Sequence, residues 1–221
     1  MLTPTTKYPK ARRSVSGYPY RLLKHPKPDN KVGQFVTRGE FKGYRIHTLT
    51  LEERATCPRS CDRWADCYGN NMPFAHRLEH GADLERRLRD EVSELCRKYP
   101  HGVMVRLHVL GDFYSVRYVK LWGQLLRDHH NLAAWGYTHR KTSGTKRDAS
   151  IARALYMLGD RYGSRWSIRT SDEPNAIFSA NHETLGAAGI TCPEQLGRSR
   201  SCGTCTLCWA APQKRINFLH H

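Results

Sequence analysis

A chain of 221 residues is long enough for one domain with a sizeable hydrophobic core and a small appendage. Its 36 Lys and Arg outnumber 20 Asp and Glu, and the formal net charge of +16 favours polyanionic partners, DNA or RNA first, contacted through a basic surface. No apolar run approaches the ~18 residues of a membrane span and the N-terminus lacks a signal-peptide stretch, so the expected compartment is the cytoplasm, away from membranes.

Thiols stay reduced there, and eight cysteines argue for metal or redox chemistry before disulfides. Residues 1–34 are rich in Pro, Lys and Arg without periodicity and read as a flexible basic arm. Residues 35–190 read as an α/β core, and residues 191–221 as a cysteine-rich metal-binding segment.

Within the core, "YRIHTLTL" (44–51) predicts a strand that feeds the loop "ATCPRSCDRWADCYG" (55–69). A helix is expected from Phe74 to Tyr99; Cys96 lies on it among Leu84, Leu88, Val92 and Leu95 and reads as a small buried apolar residue. "GVMVRLHVL" (102–110) is a second strand ending at "GDFYS". "VRYVKLWGQLLRDH" is amphipathic, with Val119, Trp122 and Leu126 on one face. "LAAWGYTHR" is a third strand, "RDASIARALYMLGDRYG" a third helix, "RWSIRTS" a fourth strand and "KRINFLHH" a closing one.

Strands alternating with helices imply right-handed βα units and a parallel sheet, either doubly wound or a partial (β/α) barrel. In both, chemistry belongs at the C-terminal ends of the strands. The segments richest in reactive residues fall there: the cysteine loop, "GDFYS", "THRKTSG" and "TSDEPN".

Cys57, Cys61 and Cys67 are spaced C-x3-C-x5-C, and Cys192 precedes the C-x2-C-x2-C run of Cys202, Cys205 and Cys208. Thiolates select zinc, Cu(I) or iron–sulfur clusters. Zinc takes four ligands, commonly from paired C-x2-C knuckles, whereas the first loop offers three thiols and no obvious fourth donor. Three thiolates suit a [4Fe–4S] cluster with one open iron, and the C-x2-C-x2-C run occurs in ferredoxins. One or two clusters are therefore expected, with zinc as the alternative, and one C-terminal thiol could instead complete the first group.

The three-cysteine loop after the first strand of a parallel α/β fold resembles the radical S-adenosylmethionine (SAM) superfamily, although the last gap in its usual C-x3-C-x2-C motif is here five residues. That resemblance implies SAM as cofactor. "LGDF" puts Gly111 and Asp112 where such enzymes bind the methionyl amino group, and Ser167, Arg169 and Ser171 where they contact ribose. An electron donor would then be a partner. A second resemblance covers His47 to the C-terminus: "TCPRSCDRWADCYG", "VRLHVLGDFYS", "AWGYTHR" and the terminal cysteine pattern look like the phage and plasmid gene product 88 family. It implies a cysteine-rich, iron–sulfur protein of mobile elements and no defined reaction.

As catalytic candidates, His108 shares a strand face with Arg106 and Leu110 on this reading, and Asp112 follows directly and could act as a base. Their structural alternatives are a hydrogen-bonded core histidine and a turn carboxylate. His139, Arg140 and Lys141 form a basic tip that could meet phosphate, or simply be solvated. Two functions follow: a radical-SAM-like enzyme acting on a nucleic acid or nucleotide, or a non-catalytic nucleic-acid-binding protein with structural clusters or zinc.

Overall fold

A computed structural model describes residues 13–14, 21–65, 67–72, 74–171, 179–181, 189–211 and 214–219. In chain order the elements are β1 (Arg13–Ser14), β2 (Arg45–Thr48), α1 (Glu53–Thr56), β3 (Arg77–Leu78), α2 (Ala82–Lys98), β4 (Val103–Leu107), α3 (Val116–Asp128), β5 (Leu132–Thr138), α4 (Lys146–Tyr162), β6 (Trp166–Ser171), β7 (Ser179–Asn181), β8 (Ile190–Thr191), α5 (Cys202–Cys205), α6 (Leu207–Ala210) and β9 (Ile216–Asn217). Seven strands form one sheet in the order β2-β4-β5-β6-β7-β9-β8, and every pairing is parallel. Among the described residues the sheet is open, with β2 at one edge and β8 at the other. β1 and β3 make a separate parallel ladder.

The four expected main strands and the two later helices form where periodicity places them. Ser115 caps α3 by accepting from Tyr118 N, and Thr145 caps α4 by accepting from Asp148 N. Gly163, at φ 54°, ends α4. The helix expected from Phe74 starts only at Ala82. Gly81, at φ 141°, breaks any earlier helix, and the preceding residues instead form β3 and a loop fastened by Arg77.

The sheet's two faces carry different cores because strand side chains alternate. Val103, Val105 and Leu107 meet α2, α3 and α4 in the larger core, with Leu88, Trp122 and Ile151. Ile46, Met104, Ala133 and Trp135 face the other way and are covered by Val32, Val36, Phe41 and Trp209. This second face is thus roofed by two segments far apart in sequence. Main-chain bonds Cys202 N to Lys31 O, Gly203 N to Val32 O and Thr37 N to Gly203 O join them.

The arm expected over 1–34 is therefore shorter than its composition implies. Leu22 and Leu23 are buried, and their N–H groups donate to the Glu91 carboxylate at 2.8 and 2.9 Å. Two apolar side chains and a carboxylate acceptor on α2 are enough to hold residues from 21 onward against the core. Residues 1–12 and 15–20 lie outside the described residues.

Candidate metal centre

The first thiol loop leaves the C-terminal end of β2 through α1, and four cationic or imidazole side chains hold it. Arg54 donates to Trp64 O, and to Asn70 Oδ1 at 3.1 Å, with its guanidinium 4.9 Å from the Trp64 ring centroid. Arg77 donates to Met72 O, Ala75 O and Gly69 O, each at 3.1 Å, and pairs with Glu53 at 2.8 Å in a buried ion pair. From the end of β5, Arg140 donates to Thr56 O, and His139 Nε2 meets Ser60 O at 2.9 Å. Thr56 Oγ1 also accepts from Asp112 N at 3.1 Å. The backbone on both sides of Cys57 is thereby fixed to the ends of β4 and β5.

Inside this frame the thiols act on one another. Burial, then the charges of Asp112, Cys61 and Cys67, push the Cys57 thiol well up from its ordinary value. Burial and Glu53 push Cys67 up, against a Gly69 N–H, Arg54 and Arg77. In general, a thiol must lose its proton to ligate a metal, so metal binding at such a site releases protons.

The second group covers the inner face of the sheet. Thr206, at φ 62°, turns the chain between α5 and α6, so Cys202 and Cys208 both pack against the inner core. Cys192 follows β8, and its N–H donates to Asn217 O at 2.8 Å. Burial raises Cys202, and the charges of Cys208 and Cys192 add to that. Burial likewise raises Cys208, opposed first by a hydrogen bond with the Tyr137 hydroxyl, 2.9 Å from its sulfur. Cys202 and Cys208 are thus the two thiols of this group that pack against one core. Cys205 closes α5, with its carbonyl held by Arg38 at 2.6 Å. No disulfide joins any of the eight cysteines.

Arg106 stands beside the second group. Its guanidinium lies 4.7 Å from the Tyr137 ring centroid and donates to Leu107 O. Its charge lowers Tyr137, Cys202 and Cys208 against the burial that raises each of them. Among the described residues, no three His, Cys, Asp or Glu side chains close around a single ion.

The other sequence candidates are placed otherwise. β4 ends at Leu107, so His108 does not share a face with Arg106. It lies in the larger core, its Nε2 3.0 Å from Tyr118 Oη and its ring beside Phe113. Asp112 is 3% exposed and fully used: its carboxylate accepts from Phe113 N at 2.6 Å, Thr138 Oγ1 at 2.7 Å and His139 N at 2.8 Å. Burial raises its pKa against Arg140 and those three bonds. Gly111 sits at φ 88°, where an added Cβ would lie 2.7 Å from both Leu51 Cβ and Thr56 Oγ1. Arg169 donates to the carbonyls of Cys208, Lys214, Leu207 and Ala211. Ser171 donates to Thr138 O at 2.9 Å, and Ser167 reaches Ser164 O at 3.5 Å. His139 and Arg140 are buried clamps of the thiol loop, not a solvated basic tip. Glu53 and Arg77 stand outside the motifs read from the sequence, and Tyr137 lies within "AWGYTHR" but is not singled out by it. Of these, only Glu53, four residues before Cys57, carries a local signal: an acidic group beside a thiol motif.

The buried histidines make the fold acid-sensitive. Burial, then the charge of His25, lowers His47 to about 4; burial, then Arg106, lowers His108 to about 3. Both stay neutral in the folded chain, so below pH 6.5 the unfolded chain binds more protons and stability falls as pH drops toward those values. Urea midpoints between pH 7 and 4 should decline, by up to about 3 kcal/mol for each histidine. His108→Phe should flatten part of the decline, and an unchanged slope would show that His108 is not the group responsible.

The comparisons with known proteins agree with the cysteine pattern. A family profile described as Gene product 88 matches residues 29–211. The chain belongs to the gene product 88 family. The Gene 88 protein of Mycobacterium phage D29 is 26% identical over 140 residues, covering 57% of this chain and 58% of its own length. The Gene 88 protein of Mycobacterium phage L5 is 26% identical over 127 residues, covering 51% and 53%. The chain therefore spans little more than half of these relatives. No solved structure matches. The family match includes both thiol groups and the segment 31–37 that ties the second group to the sheet. No described helix is long and apolar enough to cross a membrane.

Proposed function

We propose that this gene product 88 protein is an iron–sulfur protein. One cluster is bound by Cys57, Cys61 and Cys67, and a second by the Cys192, Cys202, Cys205 and Cys208 group. The observation that carries the reading is the placement of the thiols in two groups: the first on the loop that Arg54, Arg77, His139 and Arg140 clamp, and the second where Cys202 and Cys208 pack against the inner core beside Tyr137. A single structural zinc ion needs four donors around one point, and the first loop offers three thiols. A cluster instead spreads its thiolates over separate irons, so donors that stand farther apart suit it. Arg106, the Tyr137 hydroxyl and the arginine clamps supply positive charge and hydrogen-bond donors, which favour an anionic cluster. Bound clusters would store and pass single electrons, drawing on a cytoplasmic electron donor, or would staple the fold.

The strand order β2-β4-β5-β6-β7 is the sequential order of a partial (β/α) barrel, and this supports a radical-SAM-like architecture. The residues the resemblance assigns to SAM do not fit it. Asp112, Arg169 and Ser171 are spent on main-chain and side-chain partners, and Gly111 is packed against Leu51 and Thr56. These residues therefore carry no SAM-dependent step. The net charge of +16 supports DNA or RNA as the partner, gripped largely through phosphate.

Protein purified without air should contain iron and sulfide near four or eight per chain, with an EPR signal on reduction that SAM leaves unchanged. Zinc without sulfide would overturn the cluster reading. A spectrum that SAM alters would restore the enzyme reading.

A further inference from the structure

The first loop offers three thiols where a four-iron cluster presents four irons, and a fourth donor is already in place. Glu53 belongs to α1, and its side chain is 3% exposed. One carboxylate oxygen, Oε2, accepts from Arg77 Nε at 2.8 Å. The other, Oε1, is buried and has no hydrogen-bond partner among the described residues. A buried carboxylate oxygen without a partner is costly, so it marks a place where something other than a side chain belongs.

Oε1 lies on the side of Cys67. A Cβ built on Gly69 would lie 3.2 Å from Glu53 Oε1 and 3.4 Å from Cys67 Sγ, so the two atoms flank one point.

We propose that Glu53 Oε1 is the fourth protein donor of the metal centre built by Cys57, Cys61 and Cys67. The inference rests on the iron–sulfur reading. It makes the centre a three-thiolate, one-carboxylate site with no open iron. Arg77 then acts as a positioning residue: it holds Oε2 and leaves Oε1 directed at the metal, as outer-shell partners do for ligating carboxylates. This agrees with the poor fit of SAM, which needs the position that Glu53 would fill.

The test uses the full chain loaded anaerobically with 57Fe. Mössbauer spectra should show one iron of the first cluster with the higher isomer shift of an oxygen-ligated site. Neither SAM nor cyanide should alter the wild-type Mössbauer or EPR spectra. Glu53→Gln keeps an acceptor for Arg77 and removes the anionic ligand. It should keep iron and sulfide, shift the signal of that one iron and gain a response to cyanide, whereas Glu53→Asp should retain part of the wild-type signal. Iron with sulfur-only ligation, a wild-type response to cyanide, or a Glu53→Gln spectrum identical to wild type would overturn the proposal. The wild-type spectra decide it even if the variants fail to fold. Zinc without sulfide is a separate outcome that overturns the iron–sulfur reading itself.

Discussion

Replacing Arg140 with Met should lower the unfolding free energy by about 3–5 kcal/mol and release the first thiol loop. Arg140 is 5% exposed and spends its donors on three elements. Its Nε donates to Phe113 O at 2.9 Å, one terminal nitrogen pairs with Asp148, and the other donates to Thr56 O. Methionine fills similar volume but donates nothing. Asp148, 5% exposed, would keep Thr145 but lose its counter-charge, and two buried carbonyls would lose a donor. Breaking one side of a buried pair is strongly destabilising because the remaining charge stays uncompensated. Since Thr56 directly precedes Cys57, the same change should reduce iron bound by the first loop more than by the second. Urea titration and iron analysis on one preparation check both parts, and a loss under about 1 kcal/mol would show that the clamp is dispensable.

Arg169→Met should act on the other group. Arg169 is 1% exposed, and all four of its partners are main-chain carbonyls in the C-terminal cysteine segment: Leu207, Cys208, Ala211 and Lys214. An unsatisfied buried acceptor costs about 1–3 kcal/mol, and four lost together favour detachment of the segment over burial without partners. Detachment limits the global cost to about 3 kcal/mol, because water then solvates the freed carbonyls. The expected signature is therefore local. The variant should be cleaved by protease near 207–214 while residues 45–171 resist, and it should lose the second group's iron while keeping the first's. Loss of both sites together would show that the segment and the sheet do not separate.

These two arginines mark the limit of local patterns. Arg169 reads as a ribose contact because it alternates with Ser167 and Ser171 at the end of a strand, and Arg140 reads as part of a basic tip. Both lie at the expected strand ends, yet both guanidiniums donate to main-chain carbonyls 27 to 84 residues away, and Arg140 also pairs with Asp148. His108 differs for a nearer reason. The alternating pattern continues past Leu107, but the chain leaves the sheet there, before Gly111 turns it at φ 88°.

By itself the sequence determined the parallel α/β class, the four main strands, the extent of α3 and α4, and the grouping of seven cysteines into two sets. Each of these rests on local periodicity, on caps, or on spacing along the chain, all of which the order of residues carries directly. Tertiary structure alone decided that Leu22, Leu23, Val32 and Val36 are buried in the core and that Cys202 and Cys208 pack on one face of the sheet. It alone decided that Glu53 turns an unpartnered oxygen toward Cys67 while Arg77 holds the other. Those facts depend on which segments roof the inner face of the sheet. Burial and charge pairing between residues distant in sequence settle that choice, and no local pattern along the chain encodes them.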